Sequence, residues 1–461
     1  MRSRAFLAAV LGNCLCILGQ NLYAGTPHAG AEDLAKSLAD AKPGQTITLP
    51  EGQVQAGNLV VPAGVNLRGA GYSKTILDAT GCQNGIVVKG GKGTQISDLT
   101  VRGATAANIQ VSESQQVTIA RVVAREGLGG IGFADVTDGR IENCIVAANR
   151  YGILMKGGQR NCIVNCSVVQ NAGIGISLAS GEKATVFNNA IAGNATGVYM
   201  GQELKESYLD YNLYFDLYVG KLAEQLARPH LGDWKSLSGQ DAHSVQFAAT
   251  FREEKAGDYA IVNPLEWSLE RAVSSDWGAK QLGEVKAPQA DINGQPRQQA
   301  PDLGAYETVL TPARPADGTF EIKGDEGIKS AGIFTKEGRE VSYLFQNLPL
   351  AKGRHSFWFP PRTFEGKVIP AGTYEIRTAE SDLAWEYLGW IGDTGKVADA
   401  RLMAAIGACY SMFDGDVLYV GSGWSEDDTS LRCYNLADQK VLWSLPGREG
   451  PRGLAKGEDG Y

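Results

Sequence analysis

The strongest constraint on this chain is a short internal repeat. Six segments line up: Ile86-Val87-Val88, Ile109-Gln110-Val111, Ile131-Gly132-Phe133, Ile153-Leu154-Met155, Ile176-Ser177-Leu178 and Val198-Tyr199-Met200. The steps from each first position to the next are 23, 22, 22, 23 and 22. In each segment the first and third residues are apolar and the middle one varies, which is the period of a strand with one buried face. A solenoid of helices would need apolar residues every three or four positions, and these segments lack them. A unit this short cannot bury its apolar face alone, so successive copies must stack. The pattern predicts a coil of short strands, each coil resting on the next at about 4.8 Å. Asn143, Asn165 and Asn188 keep the same offset, as do Asn149, Asn171 and Asn194, and Val101, Val123, Val146, Val168 and Ile191 make a further apolar column. Asn tolerates the left-handed backbone of a tight corner and bonds its neighbours, so both Asn columns are expected to hold turns rather than bind anything.

Composition narrows the partners. The chain has 461 residues, 58 of them glycine, and a formal net charge of −8. The glycines follow no collagen-like period and read as tight turns. A mildly acidic chain has no electrostatic reason to hold nucleic acid or anionic lipid. Residues 1–24 read as a secretory signal peptide: Arg2 and Arg4 form a basic start, an apolar run follows, and Leu22-Tyr23-Ala24 makes a cleavage site near Ala24. The run is too short to span a bilayer. The expectation is a secreted, periplasmic or cell-surface protein with no membrane insertion.

Residues 25–310 carry the resemblance to a known fold family. Ala31–Ala41 reads as a short amphipathic helix capping the open end. Residues 43–52, then Val65-Asn66-Leu67-Arg68-Gly69-Ala70-Gly71 and Thr75-Ile76-Leu77-Asp78, resemble the first coils of pectate-lyase-like right-handed parallel β-helix proteins. Asp210-Tyr211-Asn212-Leu213-Tyr214-Phe215, His243-Ser244 and Gly257-Asp258-Tyr259 resemble the last, looser coils of the same group. Asp291-Ile292-Asn293-Gly294-Gln295-Pro296-Arg297 and Pro301-Asp302-Leu303-Gly304-Ala305-Tyr306-Glu307 resemble its closing signature. The resemblance implies an all-β solenoid that binds or processes extracellular polysaccharide.

Two pieces follow. Residues 311–318 read as a linker. Residues 319–380 resemble the immunoglobulin-like β-sandwich of flagellar hook-capping proteins, a module that implies a spacer. His355 within it is expected to be a strand residue rather than a ligand. Residues 385–461 resemble part of a quinoprotein-type propeller, with Val417-Leu418-Tyr419-Val420-Gly421 as a strand and 431–444 as a hairpin. Propellers close with about four to eight blades, so a stretch this short predicts a truncated product or a fragment.

For chemistry, a β-helix aligns side chains of successive coils on an outer face. Glu113 and Asp135 are one repeat apart and should sit on adjacent coils. Two carboxylates that close share either a proton or a cation such as Ca²⁺. Lys156 lies one coil further and points outward, and Tyr199 lies on the same strand face two coils later. One reading therefore has Glu113 and Asp135 hold Ca²⁺, Asp135 and Lys156 act in catalysis with Lys156 as base, and Tyr199 bind substrate. The plainer reading is a pair of solvated turn carboxylates with a compensating lysine. The repeats from Cys82 to Met200 hold no histidine, and the chain lacks the paired-Asp motifs of polygalacturonase-like hydrolases and the Asp-Pro-His-Asp motif of alginate epimerases.

Cys144 and Cys166, also one repeat apart, should stack, but parallel side-chain directions make a bridge awkward and favour buried thiols; Cys162 is a rival partner. Cys409 and Cys433 could link neighbouring strands. Three functions stay open: a secreted β-helix that binds or processes polysaccharide, a non-catalytic surface rod, and a lyase of uronate-containing sugars.

Overall fold

A computed structural model describes residues 31–446, apart from 382–405 and shorter stretches within 229–277, 299–317, 325–327, 349–366 and 426–439. The expected signal peptide at 1–24, all but the last residue of the expected linker at 311–318, and residues 385–405 and 447–461 of the expected propeller part lie outside the described residues. The chain divides into two compact units, Met1–Trp385 and Glu386–Tyr461.

In the first unit the repeat becomes a parallel β-helix. Ile109 pairs with Ile131, Ile131 with Ile153, Ile153 with Ile176 and Ile176 with Val198, all in parallel register. These side chains are 0–1% exposed and form the core of the coil. One wall is an eight-stranded sheet running from Leu59–Val60 to Tyr218–Leu222. The other two walls belong to an 18-stranded sheet that turns corners between short strands.

One apolar column departs from the regular offset. Val101 pairs with Ala124, and Val123 pairs with Ile145. The coil from Gln95 to its partner Thr118 is one residue longer than the next, from Thr118 to Arg140. The inward column is therefore Val101, Ala124, Val146, Val168 and Ile191, and Val123 faces out. A slip of one residue moves a side chain to the opposite face of a strand.

The corners explain the Asn columns, and the two differ. Asn149, Asn171 and Asn194 form an internal ladder: Asn149 Nδ2 donates to Asn171 Oδ1 at 3.1 Å, and Asn171 Nδ2 donates to Asn194 Oδ1 at 2.9 Å. Asn143, Asn165 and Asn188 hold left-handed turns at φ 50°, 50° and 58°. Their amides also reach outward, donating to the carbonyls of Ala290, Asp302 and Ala279 at 2.8, 2.9 and 2.7 Å. This second column, expected only to hold turns, also fastens a returning segment of chain.

That returning segment covers two outer faces. Outward-facing Ile145, Val169, Ala192, Leu213 and Phe215 pack under residues from Val245 to Tyr306. Cys162, Val164 and Phe187 pack under Ala279, Leu282, Val285 and Ala287 of a hairpin. Strands apolar on both sides are what doubly covered sheets require.

Both ends of the coil are plugged. The helix Ala31–Ala39, close to the expected 31–41, buries Leu38. A second helix, Leu231–Ser238, places Trp234 at 0% exposure over the last coil. Any Cβ at Gly220 would strike the Trp234 ring, so this position requires glycine.

The strands Ile328–Phe334, Glu340–Leu348 and Glu375–Ser381 form an antiparallel set, and Gly318–Ile322 pairs with Gly353–Phe357. Glu340–Leu348 also pairs with Val245–Phe247, which joins this region to the β-helix sheet. His355 is a buried strand residue stacked on Phe320 at 5.5 Å.

Among its described residues the second unit holds a four-stranded antiparallel sheet in chain order: Ile406–Asp414, Val417–Ser425, Thr429–Asn435 and Lys440–Pro446. Cys409 and Cys433 do not lie on neighbouring strands, because Val417–Ser425 runs between theirs. Two strand spacings, about 9.5 Å, exceed disulfide reach, and Cys433 is a free thiol. Cys144, Cys162 and Cys166 are free and buried. Cys166 donates to the carbonyl of Ile141 and Asn189 to that of Ile163, so thiol and amide take equivalent places on successive coils.

Candidate functional site

The outer face of the eight-stranded sheet is built from the variable middle positions of the repeat. Val87, Gln110, Gly132, Leu154, Ser177, Tyr199 and Lys221 stack in register along it. Val87 and Leu154, half-buried, belong to none of the apolar clusters that cover the other faces.

The turn after these strands holds the acidic pair. Glu113 and Asp135 both have left-handed backbone, at φ 49° and 53°, in a column that continues as Gly157. The amide of Glu113 donates to the carbonyl of Ala134 at 2.9 Å, and that of Asp135 to Lys156 at 2.8 Å. The two acids therefore sit on adjacent coils, as their spacing predicts. Lys156 stacks on Ala134, one position before Asp135, and is exposed. Glu113 pairs with Lys89 at 3.5 Å, with side chains 63% and 66% exposed, a contact of little energetic weight. Asp135 leans over Gly157, where any Cβ would collide with its Oδ1.

The fit to Ca²⁺ is partial. The ion takes about six to eight oxygens, and these two carboxylates supply a minority of them. Among the described residues no group of three or more His, Cys, Asp or Glu side chains is placed to hold a metal. Tyr199 shares the face but is only 6% exposed, and burial, then Glu224, raises its pKa. Its buried ring offers little area to a ligand.

A second polar constellation lies around the next corner, on the strand Tyr208–Asp210. Asp210 Oδ1 accepts from the amides of Tyr211 and His243 at 2.9 and 2.6 Å, and its Oδ2 meets His243 Nδ1 at 2.6 Å. The Tyr211 and His243 rings stack at 4.7 Å with 8° between planes. Asp210 is largely covered while the His243 side chain is 62% exposed. In the neutral imidazole a carboxylate partner favours the proton on Nδ1, and Nε2 is then the acceptor. Column spacing could not find this pair: 33 residues separate its members, which is not a whole number of repeats. The signal in the sequence was the pair of segments Asp210-Tyr211 and His243-Ser244.

With this geometry in place, comparison with known proteins identifies the class. Residues 84–216 match the family described as right handed beta helix region. The first unit therefore contains a right-handed parallel β-helix. Solved structures similar to the chain include an alginate lyase from a Paenibacillus species, at 18% identity and TM-score 0.32, over 43% of this chain and 87% of that one. The periplasmic alginate epimerase AlgG shares 17% identity at TM-score 0.27, over 35% of this chain and 44% of that one. The catalytic domain of a GH87 α-1,3-glucanase in complex with nigerose shares 16% identity at TM-score 0.28, over 42% and 46%. No curated protein matches the chain. No described helix is long and apolar enough to cross a membrane.

Proposed function

We propose that this chain is an exported β-helix protein that binds or processes extracellular polysaccharide. The observation that carries the reading is the outer face of the eight-stranded sheet. The returning chain packs over outward residues of the other two walls, while on this face Val87, Gln110 and Leu154 are half-buried, and Val87 and Leu154 lie outside every apolar cluster; Ser177 and Tyr199 further along it are buried. A regular, elongated face with polar rims suits a long sugar chain, which presents repeated hydroxyls and apolar C–H faces. Export rests on the basic and apolar start of the sequence. Residues 319–380 serve in this reading as an immunoglobulin-like spacer, and 385–461 as part of a propeller.

The lyase form of the proposal uses the turn column. In it, Glu113 and Asp135 would hold a Ca²⁺ ion, which would supply charge neutralisation for a uronate carboxylate, and Lys156 would serve as the base toward the sugar proton. The test is incubation with uronate polysaccharides, with and without Ca²⁺, watching the ultraviolet absorbance of unsaturated products. The lyase reading expects a Ca²⁺-dependent signal that Asp135→Asn reduces at least about 100-fold. Unchanged turnover and Ca²⁺ affinity in Asp135→Asn would remove the acidic pair from the account.

The second reading, a non-catalytic rod, is favoured by the pairing of Glu340–Leu348 with Val245–Phe247 through Gln246–Gln346 and Phe247–Phe345, which joins solenoid and appended strands in one sheet. Retention on polysaccharide without turnover supports binding, and absence of both supports the rod.

A further inference from the structure

We propose that Tyr208, Tyr211 and the Asp210–His243 pair form a subsite for one pyranose unit of an uncharged, hydroxyl-rich glycan, an inference that rests on the polysaccharide reading above. Tyr208 is 59% exposed, and it lies two positions before Asp210 on the same strand face. In register it follows Thr185, as Asp210 follows Phe187. Phe187 is under the hairpin that includes Leu282 and Val285, so Tyr208 and His243 stand beyond the hairpin's cover. The result is a shelf with an aromatic ring and a histidine edge.

Each part has a chemical use. An exposed tyrosine ring stacks on the C–H face of a pyranose. With Nδ1 engaged by Asp210, His243 Nε2 is the ring nitrogen left to hydrogen-bond a sugar hydroxyl, which can donate to it or accept from it. Tyr211 packs flat on the imidazole and fixes its plane, and the His243 amide is tied to the same carboxylate. The ring is thus oriented before any ligand arrives, which lowers the entropy cost of binding.

Closing the last coil does not require this pair. Buried Asp241 performs that role, accepting from Trp234 Nε1 at 2.7 Å, from Tyr214 and from Asn212. Charge points to an uncharged sugar. Lys235 donates to the carbonyls of Ala242 and Ser244, and Lys183 pairs with Glu182 and Glu206. Each of these two cations already has partners, and the Asp210 carboxylate stands directly behind His243, so a second carboxylate placed against this imidazole would meet a like charge close by.

Affinity electrophoresis of the full chain through gels containing xyloglucan, galactomannan or alginate tests the inference. The expected result is retardation by a neutral glycan, with Tyr208→Ala and His243→Ala each weakening apparent affinity roughly tenfold and Tyr208→Trp retaining it. Thermal melts matching the wild type show that the variants are folded; the exposure of both side chains makes this the expected outcome. Equal retardation of wild type and variants, or retardation by alginate alone, overturns this subsite but leaves the broader polysaccharide reading standing. No retardation by any of the three overturns both.

Discussion

Asp216 shows how much one atom can matter in a stacked corner. It ends the ladder of Asn149, Asn171 and Asn194, accepting from the Asn194 backbone and side-chain amides at 2.7 and 2.9 Å. Each Asn in the ladder also donates to a strand carbonyl of the preceding coil, as Asn194 does to Val168. A carboxylate has no such donor, and Asp216 Oδ2 is buried with no partner among the described residues. Burial, the largest influence, pushes its pKa up to about 7, and the Asn194 bonds only partly oppose it. A folded pKa above the unfolded value of about 3.9 means the protonated form favours folding. That contribution is fully present below about pH 4 and is lost as the pH rises toward 7. Replacing Asp216 with Asn restores the donor. The variant should be more stable than wild type by on the order of 2–4 kcal/mol near pH 8, with the difference shrinking near pH 5. Urea unfolding at both pH values measures this; a gap independent of pH would refute the assignment.

At the scale of elements, stability depends on plugging the coil as well as stacking it. Trp234 fills the end over Gly220 and is held by Asp241. Trp234→Ala should cost about 3–5 kcal/mol, the usual range for a buried large aromatic. Limited proteolysis should then cut first in the last coils, near Tyr208–Leu222; cleavage starting at the other end would contradict this role. The helix Leu231–Ser238 escaped sequence reading for a physical reason. It is short and its N-cap, His230, makes no side-chain capping bond, so it carries neither length nor start signal. The strand columns were legible because their partners lie one coil away. Val123 misled because a single coil, one residue longer than the next, breaks a count made at constant spacing. The outward work of Asn143, Asn165 and Asn188 was hidden, since their partners lie 147, 137 and 91 residues along the chain. Of the candidate site, spacing placed Glu113 beside Asp135 but could not show that Tyr199 is buried or that Asp210 meets His243.

For the whole β-helix unit, the arrangement of covered and open faces decides function. The closing segment folds back so that Arg297, with a side chain 2% exposed, reaches Glu307 at 3.1 Å and Asn143 at 2.8 Å. Burial, the largest influence, lowers the Arg297 pKa, and the carboxylates of Glu307, Asp291 and Asp302 oppose that shift. Breaking a buried charged pair of this kind is costly, so the returning chain is a fixed cover. What it leaves partly open is the stretch of the eight-stranded sheet's outer face around Val87, Gln110 and Leu154, and the shelf at Tyr208. Hydroxyl-radical footprinting with and without a polysaccharide that binds the chain tests this most directly. The account predicts shielding of Leu154 and Tyr208, while Leu226, 72% exposed, stays reactive. Unchanged oxidation at Leu154 and Tyr208, with protection of the returning segment around Val285 instead, would contradict it.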